Sequence, residues 1–289
     1  MKIGLLISGS LGLEILKVLS EKQYQLSFIL TDTKSKEIIN LAENLAIPLY
    51  SGNPRSGRSS QFISGKIIDV LLSVNYLFLI ERDLINLPKL YAVNFHGSLL
   101  PKYRGRTPHV WAIINNEKKT GITAHLIDEG CDTGDIIDQI VIDIAENHTG
   151  ADILDIYREK YPEFILNVLY KIERNNITFI KQIEHEATYF GKRSPNDGQI
   201  NWNWQKERIY NWVRALAFPY PGAFTYFKDN KIVVNRITFS NIGYNFNDPN
   251  GLVLLSVGNP VIKTPNGAVE LLDYNVENNI RINKGNVLK

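Results

Sequence analysis

The chain has 289 residues, 44% of them hydrophobic, enough to bury a sizeable core and, at about 100–200 residues per domain, to make two units. Its 32 basic and 30 acidic residues leave a formal net charge of +2, too balanced to mark a nucleic-acid binder by whole-chain electrostatics. A single cysteine, Cys131, excludes an intramolecular disulfide framework and a multi-cysteine metal cage, and points to a reducing, cytoplasmic setting.

The opening apolar run is broken by Ser8, Gly9, Ser10 and Gly12 and carries Glu14, so it is not read as a signal peptide. No run approaches the roughly 20 apolar residues of a membrane span, and no membrane partner is expected. Lys2 to Ser8 reads as a strand, and Leu11 to Leu19 repeats apolar positions at helical spacing after a tight turn. The cycle continues with a strand at Gln25–Leu30, a helix at Ser35–Leu45, a short strand at Ile47–Tyr50, a helix at Ile63–Ile67, and strands at Ile68–Val74 and Ala92–Phe95. Such alternation predicts an α/β fold, a Rossmann-like, mostly parallel sheet with helices on both faces.

Two further strands are predicted at Ile122–Ile127 and Ile136–Ile142, separated by the loop Asp128–Asp135, and then a long helix over Ala151–Ile172. Turn formers cluster from Gly191 to Gly198 before a tryptophan-rich helix, and the boundary is placed at residue 203, giving a catalytic domain 1–203 and a smaller domain 204–289. The second domain carries short strand candidates at Ala223–Phe227, Ile232–Phe239, Gly251–Val257 and Ala268–Tyr274, the spacing of a small β-rich, OB-like barrel. Trp202, Trp204 and Trp212 are expected to anchor the junction.

The stretch Asn94-Phe95-His96-Gly97-Ser98-Leu99-Leu100-Pro101-Lys102-Tyr103-Arg104-Gly105 carries the chemistry. In a strand Asn94 and His96 project from the same face, and the carboxyl end of such a strand is where open α/β sheets bind ligands. An amide and an imidazole side by side can both donate to a developing oxyanion. Asp132 follows in a loop whose Gly130 and Gly134 permit a tight path.

Gly9-x-x-Gly12 lacks the full dinucleotide fingerprint, so no NAD site is expected. His109, His125, His148 and His185 lack metal-ligand spacing, so no metal is expected and they read as surface or structural histidines. No activating base is identifiable for Cys131, which reads as loop packing.

These words in this order resemble the folate-dependent formyltransferase family, which includes methionyl-tRNA, glycinamide ribonucleotide and nucleotide-sugar formyltransferases. The resemblance implies 10-formyltetrahydrofolate as cosubstrate. It implies that Asn94 polarises the formyl oxygen, that His96 donates a hydrogen bond or proton to the tetrahedral intermediate, and that Asp132 orients His96, favours its protonated form and helps remove a proton from the attacking amine. It also implies that Phe78, Leu79 and Ile80, with Asp128, Glu129, Gly130 and Cys131, cradle the pterin, and that Arg106 lies near the substrate or folate.

The segments His96–Arg106, Tyr189–Pro195 and Pro219–Phe224 look like the formyltransferase domain that modifies UDP-4-amino-4-deoxy-L-arabinose; similar enzymes act on 4-amino-4,6-dideoxy sugars and pseudaminic-acid precursors. Unlike the bifunctional arabinose enzyme, this chain is read as stopping before a dehydrogenase domain. A basic insertion usual in the tRNA enzymes is missing at Thr31–Lys36, and from Gln205 onward 10 Lys and Arg face only 6 Asp and Glu, a weak footprint for RNA. The expected acceptor is therefore a UDP- or dTDP-linked 4-amino sugar destined for a surface glycan, with no nucleic-acid partner and with a homodimer as the expected assembly. A methionyl-tRNA formyltransferase and a catalytically silent folate or nucleotide binder are the alternatives.

Overall fold

The structure, a computed structural model, describes residues 1–289, the side chain of Asn279 excepted. In chain order the elements begin with β1 (Lys2–Ile7), α1 (Gly9–Glu21), β2 (Gln25–Thr31), α2 (Lys36–Asn44), β3 (Leu49–Ser51), α3 (Ser60–Ile63), β4 (Ile68–Val74), α4 (Arg82–Ile85) and β5 (Pro88–His96). There follow β6 (Arg104–Gly105), α5 (Pro108–Ile114), β7 (Lys119–Leu126), β8 (Ile136–Asp143), α6 (Gly150–Glu173), β9 (Tyr189–Phe190) and α7 (Lys206–Leu216). Five strands close the chain: β10 (Ala223–Phe227), β11 (Asn230–Ser240), β12 (Val253–Leu255), β13 (Val261–Thr264) and β14 (Gly267–Val276).

Residues Met1–Gly105, Thr120–Ile142 and Ile156–Phe190 form one compact unit; Arg106–Lys119, Asp143–Asp155 and Gly191–Lys289 form a second. The first is built on a seven-stranded sheet of order β3-β2-β1-β4-β5-β7-β8. β1 to β5 run parallel and β7 runs antiparallel to β5, so the sheet is mostly parallel, as the alternation predicts. The strand order reverses between β1 and β4, so the topological switch point lies between those two strands, with β5 next to β4.

Burial follows from that layering. β1 is buried at every residue after Lys2, the continuous apolar run expected of a strand covered on both faces. α1 buries Leu11, Gly12, Ile15, Leu16 and Leu19, one helical stripe. Where the apolar pattern predicts a helix at Ile63–Ile67, only the turn α3 forms, ending at Ile63, and Gly65 follows with φ +72°, the left-handed geometry that stops a helix.

The second unit carries an antiparallel sheet of order β10-β11-β14-β13-β12, one strand more than the sequence pattern predicts, because Val261–Thr264 is too short to stand out from its flanking turns. Residues 285–289 join its two edges. Gly285 and Leu288 donate to Val253 and Gly251 O beside β12, while Tyr226 in β10 and Lys289 exchange backbone bonds of 2.7 and 2.8 Å. An open sheet thereby becomes a small barrel, which removes two exposed edges.

The tryptophans pack inside this unit. The Trp202 indole donates to Thr225 Oγ1 at 2.9 Å, the Trp212 indole to Gly198 O at 3.1 Å, and Trp204 stacks edgewise on Trp212. Among the described residues, no helix is long and apolar enough to cross a membrane.

Leu288, 2% exposed, is the apolar plug of the closing segment. Leu288→Ala is expected to lower the stability of this unit by about 2–4 kcal/mol, the range for truncating a buried leucine. Urea unfolding followed by tryptophan fluorescence measures it, and a loss below about 0.5 kcal/mol would contradict the closure.

Candidate active site

β5 delivers the first two site residues by strand alternation. Phe95 turns to α6, where its ring meets Phe164 edge-on at 5.8 Å, while Asn94 and His96, on either side of it, both reach Asp132. The antiparallel register of β5 on β7 sets Asn94 opposite His125 and His96 opposite Thr123. That pairing brings in a residue the sequence reading left without a chemical role. His125 is 3% exposed, and its signal lay in a register that spacing along the chain does not reveal.

Asp132 is the common partner. Its Oδ1 accepts from Asn94 Nδ2 at 3.3 Å and lies 3.5 Å from His125 Nε2; its Oδ2 accepts from the Gly105 amide at 2.9 Å and lies 3.6 Å from His96 Nδ1. Burial alone would raise this carboxyl. The charges and hydrogen bonds of His96, His125 and Gly105 outweigh burial and hold it well below the usual carboxylate range.

The hydrogen positions follow from what each partner can do. The Tyr103 and Leu126 carbonyls only accept, so His96 Nε2 donates to Tyr103 O at 2.8 Å and His125 Nδ1 donates to Leu126 O at 2.7 Å. His125 Nε2 then faces both Asn94 Nδ2, 3.1 Å away, and Asp132 Oδ1, 3.5 Å away. The Asn94 amide nitrogen is thus held between two neighbours, His125 Nε2 and Asp132 Oδ1. His96 Nδ1 turns toward Asp132, slightly farther away than a hydrogen bond reaches.

Asp132 sits at φ +57°, a left-handed conformation that costs a residue other than glycine roughly 1–2 kcal/mol. The surrounding loop enforces it. Asp128 Oδ1 accepts from Gly130 N and Thr133 Oγ1, and a Cβ on Gly134 would stand 1.9 Å from Leu126 O, so only glycine fits there. On the other side, Gln182 donates to Asp132 O at 2.8 Å and to Gly134 O at 2.7 Å.

The segment after His96 is fixed as firmly. Ser98 Oγ donates to Lys102 O, Tyr157 donates to Gly97 O at 2.6 Å, and Thr123 Oγ1 donates to Ser98 O at 2.6 Å. β6 pairs with β9, and a Cβ on Gly105 (φ +104°) would lie 2.3 Å from Phe190 O. Glycine at 105 is therefore what lets the amide that binds Asp132 come so close to β9.

The other residues the resemblance names fall nearby or apart. Phe78, Leu79 and Ile80 lie in an irregular segment after β4, so their backbone groups are not used by a helix or sheet ladder. Phe78 packs edge-on against Tyr76, Ile80 packs on the core cluster, and Leu79 is exposed. Asp128, Glu129, Gly130 and Cys131 form the exposed rim of the Asp132 loop, with Glu129 paired to Arg82 and Cys131 Sγ 3.7 Å from Asp132 Oδ2. Arg106 is exposed, directly after Gly105, and begins the part of the chain assigned to the second unit. Among the described residues no group of three or more His, Cys, Asp or Glu side chains is placed to hold a metal ion.

Because the folded carboxyl lies below its ordinary value, Asp132 adds stability above about pH 4 that is lost as the pH falls toward the folded value. Asp132→Asn is therefore expected to show its largest stability deficit near pH 7 and a shrinking one on acidification below about pH 5. Urea midpoints of both proteins at pH 7, 5 and 4 check this; a deficit independent of pH would contradict the carboxylate's role as an ion-pair centre.

The chain is similar to known proteins over most of its length. Residues 54–169 match the family model described as formyl transferase, and residues 192–288 the model for the formyl transferase C-terminal domain. The bifunctional polymyxin resistance protein ArnA of Wigglesworthia glossinidia brevipalpis is 36% identical over 247 residues, which cover 83% of this chain and 36% of that protein. The chain thus spans about a third of the length of this curated relative.

Among solved structures, an N-formyltransferase from Helicobacter canadensis in complex with folinic acid and dTDP-3-aminofucose superposes with a TM-score of 0.71 at 21% identity, covering 93% of this chain and 97% of that one. A 4-N formyltransferase from Francisella tularensis superposes with a TM-score of 0.65 at 24% identity, covering 77% and 91%.

Proposed function

The chain belongs to the formyl transferase family, and from that premise we propose that it moves a formyl group from 10-formyltetrahydrofolate to the 4-amino group of a UDP- or dTDP-linked sugar. The observation that carries the reading is the convergence of Asn94, His96 and His125 on one buried carboxylate, Asp132, at the carboxyl end of β5. Folate supplies an activated formyl carbon on N10; the chain has to hold it, stabilise negative charge on the formyl oxygen and present an unprotonated amine.

The Asn94 amide is the donor to the formyl oxygen, exchanging one of its present neighbours for it. His96 Nδ1 supplies a second hydrogen on the same face. Asp132 acts through charge. Its part is to favour a hydrogen on His96 Nδ1, to fix Asn94 and to help remove the proton of the attacking amine. The transfer itself needs no net proton, since the amine loses one and N10 gains one.

The pterin edge pairs with the unconsumed backbone of Phe78, Leu79 and Ile80 and with the rim Asp128–Cys131, a fit supported by that segment's irregular, hydrogen-bond-ready backbone. Arg106, exposed beside Gly105, is assigned to the charged part of donor or acceptor. A sugar nucleotide as acceptor is supported by the small net charge of +2, by the dTDP-sugar held by the Helicobacter enzyme and by the 4-N activity named for the Francisella protein. The product would be an N-formylamino sugar for a surface glycan such as lipopolysaccharide.

Purified protein incubated with 10-formyltetrahydrofolate and a panel of UDP- and dTDP-linked 3-amino and 4-amino sugars is expected to add one formyl group to a 4-amino sugar, read by mass. Asn94→Ala should lower kcat by about 10²–10³-fold, the usual loss of one oxyanion donor. Turnover of charged initiator tRNA with none of any amino sugar would sink the acceptor assignment, and unchanged turnover in Asn94→Ala would sink the site.

A further inference from the structure

Arg104 is the largest fully buried side chain of the protein, at 0% exposure, and no part of the chemistry above uses it. It lies in β6 and points away from the reacting groups into a set of polar partners. Its Nε and Nη2 both donate to Gln182 Oε1, at 3.1 and 2.8 Å, while Nη1 donates to the Glu184 carboxylate at 3.0 Å and to the Tyr189 hydroxyl. A guanidinium taken from water has to be met by acceptors on every side, and the geometry is fixed by its planar fork.

That fork settles how the Gln182 amide is oriented. With Oε1 held by two guanidinium N–H groups, Nε2 is turned the other way, and it donates to Asp132 O and Gly134 O. The relay thus runs from Arg104 through Gln182 to the carbonyls on either side of Thr133, in the loop where Asp132 adopts its left-handed backbone. The residue that follows Arg104, Gly105, gives its amide to the Asp132 carboxylate. Both the backbone and the side chain of Asp132 are therefore set from β6 and the segment that returns after α6.

We propose that Gln182, locked by Arg104, is a positioning residue for formyl transfer: it fixes the left-handed backbone at Asp132 and so aims the carboxylate at His96 and Asn94. The proposal rests on the reading of Asp132 as part of the active site. Released from Gln182, the loop relaxes toward right-handed backbone angles, the Cα–Cβ bond of Asp132 swings, and the carboxylate leaves the reach of Gly105 N and His96. The rim Asp128–Cys131 keeps its own bonds from Gly130 N and Thr133 Oγ1 to Asp128, so the effect falls mainly on kcat.

Two substitutions in the full chain separate positioning from general support. Gln182→Ala removes both arms of the relay. Gln182→Glu keeps and strengthens the pairing with Arg104 but sets an acceptor against two carbonyls, so the fold keeps its buried charge partner while the clamp on the loop is lost. Both are expected to fold, to lower kcat by about 10- to 100-fold and to leave KM for donor and amino sugar within about threefold.

Placed in the Asp132→Asn background, either change should lower the residual rate by less than about twofold, because a residue that acts through Asp132 has nothing left to act on. The inference is overturned by kcat within twofold of the parent, by a loss confined to KM, by full additivity with Asp132→Asn, or by failure of both variants to fold, which would make the clamp a requirement of the fold. An Asp132→Asn protein as active as the parent would instead overturn the site itself, whatever the Gln182 variants do.

Discussion

The candidate site depends on one buried carboxylate and the groups gathered to keep it ionised. Asp132 is only 14% exposed in its side chain, and an unpaired charge there would be untenable. The two imidazoles, the Asn94 amide and the Gly105 amide resolve this by surrounding it, and they come from three strands. Asn94 and His96 come from β5, His125 from the antiparallel β7, Gly105 from β6, and the loop that carries Asp132 itself is closed by Gly134. The same arrangement orients the amide and the imidazole that face a ligand, so the interaction that keeps the loop in place also prepares the chemistry.

Much of the fold is legible in the chain because period and punctuation agree. Alternating apolar runs and helical stripes over the first 75 residues call for a parallel sheet, and β1, α1, β2, α2 and β4 form where those runs lie. The short elements are harder. α3 is a single turn ended by Gly65, β13 has four residues, and β6 and β9 have two each, too few for any periodicity. What creates β6 and β9 is their pairing with each other across 85 residues, a fact of the fold and not of either segment.

The site divides in the same way. Asn94, His96 and Asp132 are marked by strand alternation and by a loop of turn-forming residues, and the structure brings those three together. His125 is hidden because nothing along the chain says that β7 pairs with β5 in the register that sets it against Asn94. Gln182 is hidden more deeply, 50 residues from Asp132, in a stretch with neither helical nor strand pattern.

The reach of the Gln182 relay has a bearing on how the protein comes into being. The contacts that finish the site span 27, 38, 50 and 78 residues of sequence, so closing them is slow compared with forming helices or neighbouring parallel strands. On the ribosome, the sheet from β1 to β5 can assemble while the rest is still being made. The Asp132 loop gains its clamp only once the chain has emerged past Phe190. A nascent or truncated form would thus carry a formed scaffold with an unset Asp132 loop, whose final arrangement would arrive as a late, single step of folding rather than grow with chain length.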